Sequence, residues 1–268
     1  MQPTFADLDD LVPAHLFDLS GQVTLVTGAA GGIGSWLAAG LVAAGATVLV
    51  TDRDADRLKE VARALDVDHL VADLTNDDEV TCLMEWADRL GVLVNCAGVN
   101  RRKVIDEVEN EDFDAIMSVN LRAPYFLSQR AARRIAEHGG GAIIHVGSVN
   151  SAHGLAGVSV YGASKAALAQ LTRVQSIEWA DRGVRVNCLA PGFMRTPLSE
   201  SLWRDRQKAE WILSRVPQRR AGSPSELIGA MLLLASRAGT FITGQTLYVD
   251  GGFLAGSDWG ANCSKASK

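Results

Sequence analysis

Along the chain, short β-branched apolar runs alternate with longer amphipathic stretches. The runs are Val23–Thr27, Thr47–Thr51, His69–Ala72, Val92–Asn95, Ala142–Val146, Val184–Leu189 and Thr246–Val249. Most are nearly continuous in apolar residues, the pattern of strands covered on both faces in a parallel sheet. Helical periodicity fills the gaps, at Ile33–Ala44, Ala55–Leu65, Glu79–Arg89, Glu111–Glu137 and Tyr161–Asp181. Strict strand–helix alternation predicts one doubly wound α/β domain of the Rossmann type, a seven-stranded parallel sheet with helices on both faces. Its expected span is residues 19–256, with 1–18 and 257–268 as flanking extensions. Residues 192–220 break the rhythm: they are polar, contain Trp203 and Trp211, and follow a strand's carboxyl end. An insertion there is where such folds build a substrate lid.

Composition narrows the picture. With 268 residues, 47% hydrophobic and 21% charged, the chain can bury a large core without disulfides or a structural metal. A net charge of -5 without a basic block argues against nucleic acid as a partner. The start lacks the basic and apolar regions of a leader, and no apolar run approaches a membrane span, so a cytoplasmic location is expected. Four cysteines show no CxxC spacing; Cys82, Cys96 and Cys188 lie in or beside apolar segments and are expected to be reduced and buried. His15, His69, His138, His145 and His153 have no ligand-like spacing to carboxylate or cysteine, so no metal is expected.

The first strand runs into Thr27-Gly28-Ala29-Ala30-Gly31-Gly32-Ile33-Gly34, and a helix pattern follows at once. Glycine allows a tight turn and close backbone approach to a pyrophosphate, while the helix start offers free N–H groups and a positive dipole end. A glycine cluster between the first strand and its helix is expected to be a nucleotide site; a plain turn is the competing reading. About twenty residues on, the second strand ends at Asp52, where a carboxylate accepts from both adenosine ribose hydroxyls and repels a 2′-phosphate. Arg53 follows and argues for NADP. The strand-end position of Asp52, and Gly31 where a basic residue could have stood, favour NAD.

Tyr161 and Lys165 stand four apart at the start of a helical pattern, so their side chains share a face, about 5–6 Å between Cβ atoms. A phenol has a pKa of about 10, too high for a base at neutral pH, and a nearby ammonium favours the phenolate. Lowering it by about three units takes about 4 kcal/mol of differential stabilisation, which Lys165 and a positively charged nicotinamide are expected to supply. Ser148 ends the fifth strand at the carboxyl edge, placed to hold a substrate oxygen. Asn120 falls inside the long fourth-to-fifth crossover helix, a poor interior choice unless it serves a function such as holding a water.

Taken together, the Thr27–Gly34 turn, Asp73-Leu74, Asn95-Cys96-Ala97-Gly98, Asn120, Ser148, Tyr161-Gly162-Ala163-Ser164-Lys165, Pro191-Gly192 with Thr196, and Val249-Asp250-Gly251-Gly252 resemble the short-chain dehydrogenase/reductase family. The resemblance covers nearly the whole chain, from Phe17 to Phe253. It implies Asn120, Ser148, Tyr161 and Lys165 as the catalytic tetrad. It implies a cofactor site of Gly28, Gly32, Ile33, Gly34, Asp52, Arg53, Asp73, Leu74, Asn95, Ala97, Gly98, Tyr161, Lys165, Pro191, Gly192 and Thr196. It also implies a homotetramer built on the two long helices Glu111–Glu137 and Tyr161–Asp181. One departure is Cys96, where the family has a second asparagine.

Three local runs are similar to sugar-acid dehydrogenases within that family: Leu16–Gly21, Gly98-Val99-Asn100-Arg101-Arg102, and Ile212–Pro217 followed by Arg219-Arg220. Arg101 and Arg102 lie just past a strand's carboxyl end, where a guanidinium suits bidentate binding of a carboxylate; a solvated loop pair is the competing reading. Arg195 in the lid is a second anion candidate, and Ser148, Asn150 and His153 complete the expected substrate set. The expected activity is NAD-dependent hydride transfer at a secondary alcohol or ketone of a sugar acid. Alternatives are a neutral polyol dehydrogenase, which has no need of the arginines, a 3-oxoacyl-thioester reductase, usually NADP-linked, and a non-catalytic dinucleotide-binding regulator, which would not need the tetrad.

Overall fold

The computed structural model describes residues 12–256; the remaining flanking residues, Cys263 among them, lie outside the described residues. Seven strands, β1 (Val23–Thr27), β2 (Thr47–Asp52), β3 (Asp68–Val71), β4 (Leu90–Asn95), β5 (Gly141–Val146), β6 (Val184–Pro191) and β7 (Thr246–Val249), form one sheet in the order β3-β2-β1-β4-β5-β6-β7. Every pairing is parallel. Chain order reverses between β1 and β4, which pair with Thr27 opposite Asn95. A crevice therefore opens beyond the carboxyl ends of these two strands, where open α/β sheets bind ligands.

Side-chain alternation along the strands divides the core into two layers. After a short first helix, α1 (Pro13–Leu16), the chain enters the sheet; Val26, Val48, Val50, Val92, Val94, Ala142 and Ile144 pack on one face beneath α2 (Gly34–Ala43), α3 (Ala55–Leu65) and a later helix, Ile228–Ala235. Leu25, Leu49, Leu93 and Ile143 pack on the other beneath α4 (Asp77–Trp86) and the 123–137 helix. Asp54 and Asn76 cap the starts of α3 and α4, accepting from Arg57 N–H and from Asp78 and Glu79 N–H. Each cap satisfies donors a helix start cannot pair internally.

Several elements depart from the sequence reading. The single helix expected over Glu111–Glu137 is α5 (Asn110–Met117), a π-helical turn at Ser118–Arg122, and α6 (Ala123–Glu137). Pro124 supplies the cause: it has no N–H to give the carbonyl of Asn120 four residues back, and its ring crowds that carbonyl. The long helix α7 runs Ser159–Glu178, with a 3₁₀ turn completing the expected stretch. The insertion after β6 holds a 3₁₀ turn (Pro197–Ser199), α8 (Glu200–Arg204) and α9 (Arg206–Arg215). The pattern reading missed α10 (Ile228–Ala235), although Ser223-Pro224-Ser225-Glu226 before it forms a capping box. Cys188 is buried and Cys96 partly so, but Cys82, expected to be buried, lies on the outer face of amphipathic α4. Among the described residues no helix is long and apolar enough to cross a membrane.

Candidate functional site

The glycine turn is shaped by contacts no other residue permits. Gly28 has φ +68°, and a Cβ there would stand 2.6 Å from the Ala97 Cα. At Gly34 a Cβ would collide with the Gly28 carbonyl oxygen, so the first turn of α2 closes directly on the loop. Thr27 locks the turn to β4: its hydroxyl accepts from Cys96 N–H (3.1 Å) and Ala97 N–H (3.2 Å) and donates to Val94 O (3.4 Å). Asp52 ties β2 in, accepting from Ala30 N–H and Asp54 N–H, each at 3.1 Å. Asp73 accepts from the Thr75 N–H and hydroxyl, which hold its carboxyl below the usual range. Together with Ile33, Arg53, Arg57 and Leu74 these elements line one end of a cleft of about 1130 Å³.

The other end of the cleft gathers Ser148, Asn150, Tyr161 and Lys165. Ser148 is buried at the end of β5 and accepts from Asn150 N–H at 3.1 Å. The Lys165 ammonium is buried, donates to Val146 O at 2.8 Å and lies 5.8 Å from the Tyr161 ring centre. Burial pulls its pKa below the usual value. Burial also raises the Tyr161 phenol, against the lowering effects of the Ser148 hydrogen bond and the Arg102 charge. In the free protein desolvation outweighs the lowering effects on the phenol, among which the Arg102 charge was not anticipated from the sequence. Burial pushes the Cys96 thiol to about 12 and Cys188 to about 11, so neither is a nucleophile at neutral pH.

Asn120 is fully buried, and its side chain does not face the cleft. Its Oδ1 accepts from Val99 N–H at 2.8 Å; its Nδ2 donates to Val99 O (3.0 Å) and the Ser164 hydroxyl (3.1 Å). The side chain is a strut for the loop after β4. Asn95, expected in the cofactor site, is also turned away: its Nδ2 contacts the Ser128 hydroxyl (2.9 Å) and His145 Nδ1 (3.2 Å) inside the core. Ala97, Gly98, Pro191, Gly192 and Thr196 do line the cleft. Thr196 and Pro197 sit on Gly32, where a Cβ would come within 2.8 Å of the Pro197 ring.

The candidate anion residues separate sharply. Arg101 pairs with Asp112 at 3.1 Å and lies outside the cleft lining. Arg102 lines the cleft, contacts Leu198 O (3.4 Å) and the Ser201 hydroxyl (3.3 Å) of the lid, and pairs with no carboxylate among the described residues. Arg195 stacks on Trp203, 5.0 Å from the ring centre, and His153 packs edge-on against Phe253 at 4.9 Å, both outside the cleft lining. Residues of the 192–220 insertion line the cleft, among them Phe193, Leu202, Gln207 and Lys208, which the sequence reading did not single out, together with Trp211 and Ile212. The signal for α9 was present in Asp205, which caps it by accepting from Lys208 N–H.

Comparison with known proteins agrees with this geometry. The family model described as enoyl-(acyl carrier protein) reductase matches residues 28–254. Gluconate 5-dehydrogenase of Gluconobacter oxydans is 37% identical over 246 residues, 88% of this chain and 96% of that one. The 3-oxoacyl-[acyl-carrier-protein] reductase of Rickettsia bellii is 36% identical over 241 residues, covering 89% and 99%. A solved gluconate 5-dehydrogenase from Burkholderia cenocepacia, in complex with NADP and tartrate, superposes with a TM-score of 0.88 at 35% identity, covering 91% of this chain and all of that one. The chain belongs to the short-chain dehydrogenase/reductase family and is an oxidoreductase of alcohol and keto carbons.

Proposed function

We propose that the protein moves a hydride between NAD and a secondary alcohol or ketone of a sugar acid, with Tyr161 as the general acid/base. The observation that carries this reading is the convergence of Ser148, Tyr161, Lys165 and Arg102, which has no carboxylate partner among the described residues, on one end of a cleft whose other end is the glycine turn. A dinucleotide fits the residues present. The cradle at Gly28, Gly32 and Gly34 excludes any Cβ, the start of α2 offers N–H groups for phosphates, and Asp52 stands at the end of β2 for the ribose. Leu74, Ala97, Gly98, Pro191, Gly192 and Thr196 supply the walls between. NAD is preferred over NADP because the Asp52 carboxylate repels a 2′-phosphate; the cations against this preference are Arg53 and Arg57.

When bound, the oxidised nicotinamide supplies the hydride acceptor and a positive charge. Ser148 holds the substrate hydroxyl, and the Tyr161 phenolate takes its proton as the carbon loses hydride, leaving a ketone. In the reverse direction Tyr161 donates the proton. Lys165, anchored on Val146, adds positive charge near the phenol and a donor toward the cofactor ribose. Arg102 takes the substrate carboxylate as a bidentate partner.

Resemblance to gluconate 5-dehydrogenases supports the substrate class. A second reading, reduction of a 3-oxoacyl thioester, draws on the apolar wall of Phe193, Leu202, Trp211 and Ile212 and on the similarity to the Rickettsia bellii reductase. The cotenancy of Arg102 with Tyr161 favours the acid. Tyr161→Phe tests the core of the proposal: kcat falls by about a thousandfold while the dinucleotide Kd stays near normal. Retained turnover with weakened dinucleotide binding refutes the role given to Tyr161.

A further inference from the structure

The loop that carries Arg102 is held at both ends. Asn120 grips Val99 through both halves of its amide. At the far end Lys103 pairs with Val158 in a parallel bridge. Between them Asp112, buried on the first turn of α5, draws in the residues on either side of Arg102. Its Oδ2 lies 2.6 Å from the Lys103 ammonium and its Oδ1 3.1 Å from the Arg101 guanidinium. Successive side chains of an extended segment point to opposite sides. Arg101 is drawn out of the cleft; Lys103 still lines it, but its ammonium is held by Asp112 and Glu109, so Arg102 is the one cation of the three that reaches the cleft with no carboxylate partner among the described residues.

We propose that Asp112 is a positioning residue for substrate specificity: by binding Arg101 and Lys103 it engages both neighbouring cations and leaves the Arg102 guanidinium as the loop's charge available to a substrate anion. The inference rests on the reading of Arg102 as the carboxylate anchor and adds what makes it so. Without Asp112, three adjacent cations compete for the same space and repel one another, and Arg102 has no fixed direction. With Asp112, two charges are spent on the loop and one remains for the ligand. The carboxyl of Asp112, held at about 2 chiefly by the Lys103 hydrogen bond, stays ionised across the working pH range. Glu109 joins the cluster at 3.2 Å from Lys103, but it is exposed and cannot replace a buried carboxylate between the two cations.

Asp112→Asn keeps the acceptor for Glu109 N–H that closes the start of α5 but removes the charge that holds Arg101 and Lys103. The NAD-loaded enzyme is assayed with D-gluconate and with D-glucitol, its neutral counterpart. The expected result is a KM for gluconate raised about tenfold, with kcat, and the KM for glucitol, within about twofold of the parent. A purely structural role would move both substrates together. Combining Asp112→Asn with Arg102→Ala should give no further loss on gluconate beyond Arg102→Ala alone, since Asp112 acts through Arg102.

An unchanged gluconate KM in Asp112→Asn, or additive losses in the double variant, overturns the positioning role while leaving Arg102 as anchor. If Arg102→Ala leaves the preference for gluconate over glucitol intact, the carboxylate-anchor reading itself fails and the positioning role fails with it. Should Asp112→Asn not fold, Arg101→Gln, at a half-exposed side chain, carries the test: a several-fold rise in KM confined to gluconate supports the proposal, and an unchanged KM overturns it.

Discussion

At the scale of single residues, Arg102 and Tyr161 are coupled. The guanidinium lowers the phenol's pKa, and the phenol raises that of the guanidinium, so each favours the other's charged form. Alcohol oxidation needs the phenolate, and burial alone puts the phenol above its usual value. The rate of oxidation should therefore climb with pH. Removing the cation withdraws a stabilising charge from the phenolate and raises the phenol further. Arg102→Ala should move the rising limb of the kcat/KM profile for glucitol to higher pH, a neutral substrate being used so that lost carboxylate binding does not intervene. An unmoved limb, or one moved to lower pH, contradicts the coupling. That Tyr161 and Lys165 share one face at the cleft could be read from the sequence because it depends on a local spacing of four residues. Which of Arg101 and Arg102 faces the cleft could not, because the deciding partner, Asp112, comes from a different element.

At the scale of elements, the strands were legible wherever both faces are covered, since burial on two sides leaves continuous apolar runs. The long crossover helix was not read correctly. Its periodicity continues through the π-turn, and only Pro124 marks the break. Asn95 was misplaced for a similar reason: its position at the end of β4 is correct, but the pleat sends its side chain into the core toward Ser128 and His145. The lid was visible as an interruption, yet its contact with the glycine turn depends on tertiary approach. That contact makes a prediction. Gly32→Ala drives a methyl against the rigid Pro197 ring and the Thr196 Cβ at 3.0 Å, so the lid must shift off the dinucleotide. The dinucleotide KM should rise about tenfold, about 1.4 kcal/mol, with little change in Tm. A normal KM would show that the lid does not close over this turn.

At the scale of the whole molecule, a buried polar chain joins the sheet to the helices beside it. Gln175 on α7 accepts from His145 Nε2–H at 2.9 Å, His145 Nδ1 faces Asn95 Nδ2, and Asn95 reaches Ser128 on α6. His145 is completely buried, and burial, with the nearby Lys165 charge, depresses its pKa to about 4 despite the opposing Gln175 hydrogen bond. In the unfolded chain the same imidazole titrates at about 6.5. The folded state thus refuses a proton that the unfolded state accepts, so the stability His145 contributes is complete above about pH 6.5 and lost as pH falls toward 4. Between those values each unit costs about 1.4 kcal/mol. His145→Asn should flatten the fall in Tm between about pH 7 and about pH 5. An unchanged slope would place the acid sensitivity elsewhere.

Across the whole molecule, a glycine cradle at one end of the cleft faces Tyr161 with Arg102 at the other. Dinucleotide reduction at alkaline pH, followed with D-gluconate and D-glucitol, each offered with NAD and with NADP, reads both ends at once. Turnover is expected to be far higher with NAD than with NADP, and far higher with gluconate than with glucitol. Turnover of glucitol equal to gluconate, or a preference for NADP, would contradict the roles given to Arg102 and Asp52.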